Sequence, residues 1–240
     1  MKITEKLKKR NENMEGCAPV TVAFLGDSVT QGCFECYFDG DRLETVFDGQ
    51  NAFSEKFRKL LNLLYPRAQI NVINAGISGG NAADGLARYD RDVGAFRPDL
   101  VVVGFALNDC CAGKELLERY TESLAGIFGK ASKQGAECIY LTPNRMCNKV
   151  SGRLTDARFV ALSESFMRMQ NEGILDEYVK AGKACAKKNG AAVCDVYGKW
   201  TRMANTGADM TALLANGLNH PIRELGELTA FALLDTIFEN

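Results

Sequence analysis

The stretch Val22–Gly32, VAFLGDSVTQG, decides how this chain folds. Thr21 to Gly26 form a short, mostly apolar run that stops abruptly at Gly26-Asp27-Ser28. Such a run reads as a strand buried on both faces. The polar residues that follow have two readings. Either Asp27 and Ser28 cap the next helix, or Ser28 is presented as a nucleophile.

Working outward, four more short apolar runs rich in Val and Ile read as strands: residues 70–75, 99–107, 136–142 and 191–196. Helical spacing separates them. Phe53, Phe57, Leu60, Leu61 and Leu64 share one helix face, as do Leu116, Leu117, Tyr120, Leu124, Ile127 and Phe128. A third helical region spans 159–189. A last one follows Pro221, which suits a first helical turn, through Leu225, Leu228, Phe231, Leu234 and Phe238. Alternating strands and helices predict an α/β fold with right-handed crossovers and a mainly parallel five-stranded sheet. Residues 31–50 and 144–158 have no clear period and read as long loops. The 240 residues are read as one domain, with residues 1–18 as an N-terminal arm whose basic stretch Lys2–Arg10 is a solvated helix.

Lys and Arg total 29 against 30 Asp and Glu, a balance that offers nothing to nucleic acid or an anionic membrane. No apolar run is long enough to span a bilayer, and the charged start lacks a signal-peptide core. Nine cysteines, mostly within apolar stretches, suit reduced thiols. These features predict a cytoplasmic protein, and a homo-oligomer is left open.

Ligands of parallel sheets bind beyond the carboxyl ends of the strands. Here those ends carry Gly26-Asp27-Ser28, the segment NAGISGGNA (74–82), Asn108-Asp109 and, near the C-terminus, NGLNHP with His220. A hydroxyl, an amide, small residues and an imidazole are what acyl transfer requires. His220 is the chain's single histidine, so a serine hydrolase built here uses it as base or uses a lysine instead. Ser78 is a rival nucleophile, because Gly76-Ile77-Ser78-Gly79-Gly80 fits the G-x-S-x-G elbow of α/β-hydrolases. That fold places several strands before its nucleophile, whereas one strand precedes residue 70 here.

Taken in order, these segments resemble the SGNH (GDSL-type) hydrolase family. Gly26-Asp27-Ser28 is similar to its first block, NAGISG to its second, ALND (106–109) to its third and NGLNHP to its fifth. The resemblance implies a flavodoxin-like three-layer α/β/α sandwich and no cofactor. It implies Ser28 as nucleophile, His220 as base, and an oxyanion hole from the N–H groups of Ser28 and Gly79 and the amide of Asn108. It also implies a serine esterase for short-chain acyl esters, acetyl groups on sugars in particular, with lysophospholipids and thioesters as other substrates. A non-catalytic α/β binding module and an enzyme using Ser78 are the alternatives.

Two departures from the family stand out. Ala106 occupies a position usually held by glycine, and the acid expected three residues before the histidine is replaced by Gly217. Alignment on NGL puts Asn216 in the acid's place. An amide carries no charge to stabilise imidazolium, and a helix N-terminus at His220 would make that charge costlier. Hence either Ser28 and His220 form a dyad oriented by a neutral oxygen, or Asp209 or Glu224 substitutes. The dyad is the preferred reading. Asp27 and Asp109 are read as loop or cap residues.

Cys33-x-x-Cys36 and Cys110-Cys111 could approach a thiolate zinc site, but adjacent cysteines are poor paired ligands, so no metal is expected. Neither phosphate-binding glycine motif occurs. Tyr37, Phe38, Phe47, Arg145, Met146 and Trp200 either line a substrate pocket or belong to core and surface.

Overall fold

Val22 and Phe24 turn to one side of the first strand, Ala23 and Leu25 to the other, and all four are fully buried. A strand with no solvent face has to be apolar throughout, which is why its sequence does not alternate. The computed structural model describes residues 1–239; Asn240, the last residue of the domain read above, lies outside the described residues.

Five parallel strands form the sheet: β1 (Val20–Gly26), β4 (Ile70–Gly76), β5 (Leu100–Gly104), β6 (Glu137–Leu141) and β7 (Ala192–Cys194). Their spatial order is β4-β1-β5-β6-β7, with Val22 registered against Val72 on one side and Leu100 on the other. In chain order this is second-first-third-fourth-fifth, the flavodoxin-like arrangement, and the order reverses at β1.

Helices cover both faces. Phe24, Val102 and Ile139 pack with α1 (Lys2–Glu12), α3 (Phe53–Leu64), α8 (Val196–Asn205) and α9 (Leu225–Glu239). Leu25, Val103 and Tyr140 pack with α4 (Ala82–Asp92), α5 (Leu117–Lys133) and α7 (Ile174–Lys188). Phe24 meets the edges of Phe53 and Phe57 at centroid distances of 5.6 and 5.9 Å. Emptying such a site, as in Phe24→Ala, costs about 3–5 kcal/mol.

Four expectations are corrected. Residues 31–50 are largely ordered as a short helix α2 (Ser28–Gln31) and an antiparallel hairpin, β2 (Cys33–Asp39) with β3 (Arg42–Phe47). Asp39-Gly40 between two strand-like runs was the available signal, and Gly40 makes the turn at φ +60°. The region 159–189 is two helices, α6 (Ala157–Asn171) and α7, broken where Gly173 adopts φ +74°. The basic N-terminal helix is docked rather than solvated. Ile3 and Leu7 enter the core, and the N–H groups of Lys2 and Ile3 donate to the Glu137 carboxylate at 2.9 and 2.7 Å. Finally, Pro221 does not start the last helix; it bridges to Leu214, and α9 begins at Leu225. Among the described residues no helix is long and apolar enough to cross a membrane.

Candidate active site

Strand β1 delivers Ser28 to the point where the strand order reverses. Asp27 caps the single turn of α2, its Oδ1 accepting from Val29 N–H at 3.0 Å, and Gly32 ends the turn at φ +94°. Asp27 thus caps the turn, whereas Ser28 is its first residue and caps nothing; its hydroxyl faces His220.

His220 comes from the far end of the chain, on a turn fixed by Asn216. The Asn216 Oδ1 accepts the backbone N–H groups of Leu218, Asn219 and His220, each at 3.0 Å. Ala215 N–H donates to the His220 carbonyl at 2.7 Å. The imidazole bridges two oxygens: Nε2 lies 2.9 Å from Ser28 Oγ, and Nδ1 lies 2.9 Å from the Phe34 carbonyl oxygen. A carbonyl can only accept, so Nδ1 carries the proton and Nε2 is left to accept from Ser28 Oγ–H. That is the tautomer a general base needs. Serine and histidine are both buried, at 4% and 5% exposure.

Among the described residues no carboxylate hydrogen-bonds to the imidazole. Asn216, the residue aligned with the missing acid, holds the backbone of the turn instead of facing Nδ1, and its Nδ2 donates to Asn219 Oδ1 at 3.0 Å. Gly217 adopts φ +69°, and a Cβ there would lie 3.1 Å from Ser151 Cβ, so an aspartate at that position would be strained. Asp209 pairs with Lys149 at 2.7 Å, and Glu224 is exposed. The orienting oxygen belongs to Phe34 on β2, in the hairpin within residues 31–50. Helix-dipole repulsion is not what holds the base neutral, because α9 starts five residues beyond His220 and dipole effects fade within the first turn. Burial does so instead, pushing the imidazole below its usual value. The hydrogen bond to Phe34 and the charge of Glu35 oppose that shift.

The oxyanion candidates converge on the same edge. Among the described residues no acceptor within the chain takes the N–H of Ser28 or of Gly79. Gly79 sits at φ +77°, a conformation glycine adopts without strain. Asn108 Nδ2 donates one proton to the Gly80 carbonyl at 2.8 Å, which fixes the amide and leaves its second N–H without an acceptor among the described residues. Ala106, where the family has glycine, is held at φ +142° with its side chain fully buried.

Two acids next to the candidate residues in sequence, Asp27 and Asp109, are buried. Asp109 Oδ1 accepts the first N–H of α4, from Ala82, at 2.9 Å. Burial pushes Asp27 up to about 7 and Asp109 up to about 6. Ser78 lies in an exposed turn, its N–H donating to Gln31 Oε1 at 2.7 Å, while the single imidazole is engaged by Ser28. Met146 and Trp200 are core residues, and Arg145 stacks on Tyr197 at 5.5 Å. Of the hairpin aromatics named above, Tyr37 and Phe47 are exposed and Phe38 is half-buried. Tyr37 and Phe38 line a cleft of about 300 Å³ with Arg153 and Asn216, and Phe47 is exposed. All nine cysteines are free thiols, and no group of three His, Cys, Asp or Glu side chains among the described residues could hold a metal. Cys36 Sγ stands 4.0 Å from His220 Nδ1, and the thiols of Cys110 and Cys111 both donate to the Leu107 carbonyl.

A buried serine hydrogen-bonded to a neutral imidazole, at the switch point of a flavodoxin-like sheet, defines a hydrolase of the SGNH class. The chain belongs to the GDSL-like lipase/acylhydrolase family, whose model matches residues 24–224. An acetylxylan esterase of Geobacillus stearothermophilus is 36% identical over 87 residues, which make up 36% of this chain and 38% of that protein. The chain thus matches under two-fifths of the length of that curated relative. Solved structures share the fold. An α/β hydrolase from the Lake Arreo metagenome gives a TM-score of 0.67 at 22% identity, covering 91% of this chain and 95% of its own. An acetylxylan esterase of G. stearothermophilus gives 0.66 at 23%, covering 91% and 94%. A lipase/acylhydrolase of Enterococcus faecalis gives 0.65 at 21%, covering 91% and 95%.

Proposed function

We propose that this protein is a serine esterase that hydrolyses short-chain acyl esters, acetyl esters of carbohydrates above all, through an acyl-enzyme on Ser28. The observation that carries the reading is the 2.9 Å contact between Ser28 Oγ and His220 Nε2, with Nδ1 committed to the Phe34 carbonyl. The acetyl preference draws on the partial identity to an acetylxylan esterase.

The geometry accommodates both halves of the reaction. Ser28 Oγ attacks the ester carbonyl carbon as its proton passes to His220 Nε2. The N–H groups of Ser28 and Gly79 and the free N–H of Asn108 receive the negative oxygen that develops. Collapse breaks the bond to the leaving oxygen, which takes the proton from Nε2, and the acyl group stays on Ser28. Water then attacks that ester, His220 accepts its proton, and Oγ regains the proton as the acid departs. Phe34 keeps Nδ1 protonated throughout.

A serine-directed phosphonate tests this, followed by turnover of p-nitrophenyl acetate and acetylated xylo-oligosaccharides. The adduct is expected on Ser28, with turnover lost in Ser28→Ala. An adduct on Ser78 would support the elbow enzyme. No adduct, together with turnover indifferent to Ser28→Ala, would leave the binding module.

A further inference from the structure

Three residues beyond His220, Arg223 reaches back to the hairpin that carries the histidine's acceptor. Its Nη1 and Nη2 donate to Glu35 Oε1 and Oε2 at 2.6 and 3.0 Å, and its Nε donates to Asp48 Oδ2 at 2.8 Å. The guanidinium also lies 4.3 Å from the centroid of the Phe34 ring. Glu35 follows Phe34 directly, and Asp48 closes the hairpin, its N–H donating to the Gly32 carbonyl at 2.8 Å. One side chain on the histidine's own segment thus grips both strands of the element that supplies the Phe34 carbonyl.

That carbonyl needs such a grip. Strands β2 and β3 pair only with each other among the described residues, and an isolated two-stranded hairpin is marginal. A triad acid is a side chain, whereas here the orienting oxygen belongs to the backbone of a hairpin that shares no strand pairing with the five-stranded sheet among the described residues. We infer that Arg223 is a positioning residue for the catalytic base. Its fork on Glu35 and its bond to Asp48 hold the Phe34 carbonyl against Nδ1, so that a backbone oxygen orients His220 as a triad acid would. This rests on the Ser28–His220 esterase reading.

Arg223, Glu35 and Asp48 are partly exposed, with side-chain exposures of 30%, 45% and 25%. Ion pairs so exposed contribute little to stability. The consequence of breaking this one should therefore appear in turnover more than in melting temperature. The polar groups around the imidazole are Ser28 on the Nε2 side, and the Phe34 carbonyl, the Cys36 thiol and the Glu35–Arg223–Asp48 cluster on the Nδ1 side.

The experiment measures p-nitrophenyl acetate turnover and melting temperature for the full chain and for Arg223→Gln, Arg223→Lys, Glu35→Gln and the Arg223→Gln/Glu35→Gln double variant. A displacement of about 1 Å costs on the order of 10²-fold, so Arg223→Gln should lower kcat by about 10- to 100-fold. KM should hold within about twofold, since the clamp is assigned to act on the base through the Phe34 carbonyl. Arg223→Lys keeps the charge but not the fork, and should lose most of the same activity. The double variant should be no worse than Arg223→Gln alone, because the two residues act as one unit. The acid limb of kcat/KM should move in opposite directions: down in Glu35→Gln, which removes a charge that favours imidazolium, and up in Arg223→Gln, which leaves that charge unpaired. Retention of kcat within about threefold, a loss carried by KM, or multiplicative single effects would each overturn the assignment. Should Arg223→Gln fail to fold, Arg223→Lys and Glu35→Gln give the same reading. If turnover survives Ser28→Ala, the esterase reading itself has failed. If turnover needs Ser28 and ignores the clamp, only this inference has.

Discussion

His220 Nδ1 faces the Phe34 carbonyl oxygen at 2.9 Å, in the place where a serine hydrolase ordinarily carries a carboxylate. The carbonyl fixes the tautomer and the ring, which are two of the tasks of a triad acid. It cannot supply the third, the full negative charge that stabilises imidazolium. Part of that charge comes from Glu35, beyond the carbonyl and shared with Arg223.

The first prediction concerns acids that sequence proximity offered. Asp209 is paired with Lys149 at 2.7 Å and Glu224 faces solvent. Asp209→Asn and Glu224→Gln should each leave kcat within about threefold of the parent, against the ~10⁴-fold loss when a true triad acid becomes an amide. A loss approaching that size in either variant would mean that a carboxylate completes the site during turnover.

The second concerns pH. A free histidine titrates near 6.5, and burial of His220 lowers that value more than Phe34 and Glu35 restore it. The acid limb of kcat/KM should therefore have its midpoint below about 6.5. Linkage gives the matching stability effect. The unfolded chain takes up this proton near 6.5, while the folded chain does so only at lower pH. Its contribution to stability is thus complete above about 6.5 and falls as pH drops toward the folded value. Imidazole NMR gives the midpoint directly, and comparison of melting curves for the parent and His220→Asn isolates the stability term. A midpoint above 6.5 would show that a negative charge outweighs burial.

The five strands of the sheet were legible because burial on both faces leaves near-continuous apolar runs such as Val22–Leu25. Ser28, Gly79, Asn108 and His220 were legible as residues that follow strands or precede the last helix. The orienter was not, because a backbone carbonyl has no sequence identity: any residue at position 34 would present one. The hairpin hid for a related reason. Its faces are only half-buried, so Cys33–Phe47 shows neither a clean alternation nor a continuous apolar run. The N-terminal helix was legible as a helix but its docking was not, because Ile3 and Leu7 are a narrow apolar stripe among many lysines.

Asp27 supplies a third prediction. Its carboxyl is buried and pushed up to about 7, with Asp109 adding to the shift. The unfolded chain loses that proton near the ordinary aspartate value of 3.8, so the acid's contribution to folding declines as pH rises from there to about 7. A shift of that size is worth on the order of 4 kcal/mol at most. Asp27→Asn keeps an oxygen to accept from Val29 N–H and removes the titration. Its melting temperature should exceed the parent's above pH 7, with the gap closing toward pH 4. A gap independent of pH would show Asp27 ionised throughout.

For Asn108 the geometry separates two roles within one amide. One N–H is spent on Gly80, so the amide is already oriented before any substrate arrives. Donation to charge that exists only in the transition state predicts that Asn108→Ala lowers kcat by about 10²–10³ with KM little changed. A rise in KM at constant kcat would make Asn108 a ground-state binding residue instead.

Ala106 gives the last prediction, in the segment that leads from β5 to Asn108. Its φ of +142° lies where side chains are disfavoured, and its family counterpart is glycine. Strain of this kind costs about 1–3 kcal/mol. Ala106→Gly relieves it, but gives up a buried methyl, worth about 0.8 kcal/mol, and adds unfolded-state freedom, worth about 0.5–1 kcal/mol. The terms nearly cancel, so the variant should be neutral or slightly more stable in denaturant titration, with kcat preserved. Ala106→Val should behave oppositely, since a β-branched residue tolerates this backbone poorly and the site has no spare room, the parent methyl being fully buried. A loss of about 1.5 kcal/mol or more in the glycine variant would match the unrelieved methyl and entropy costs alone. That result would show that Ala106 carries no strain, and that the departure from glycine at this position is without structural cost.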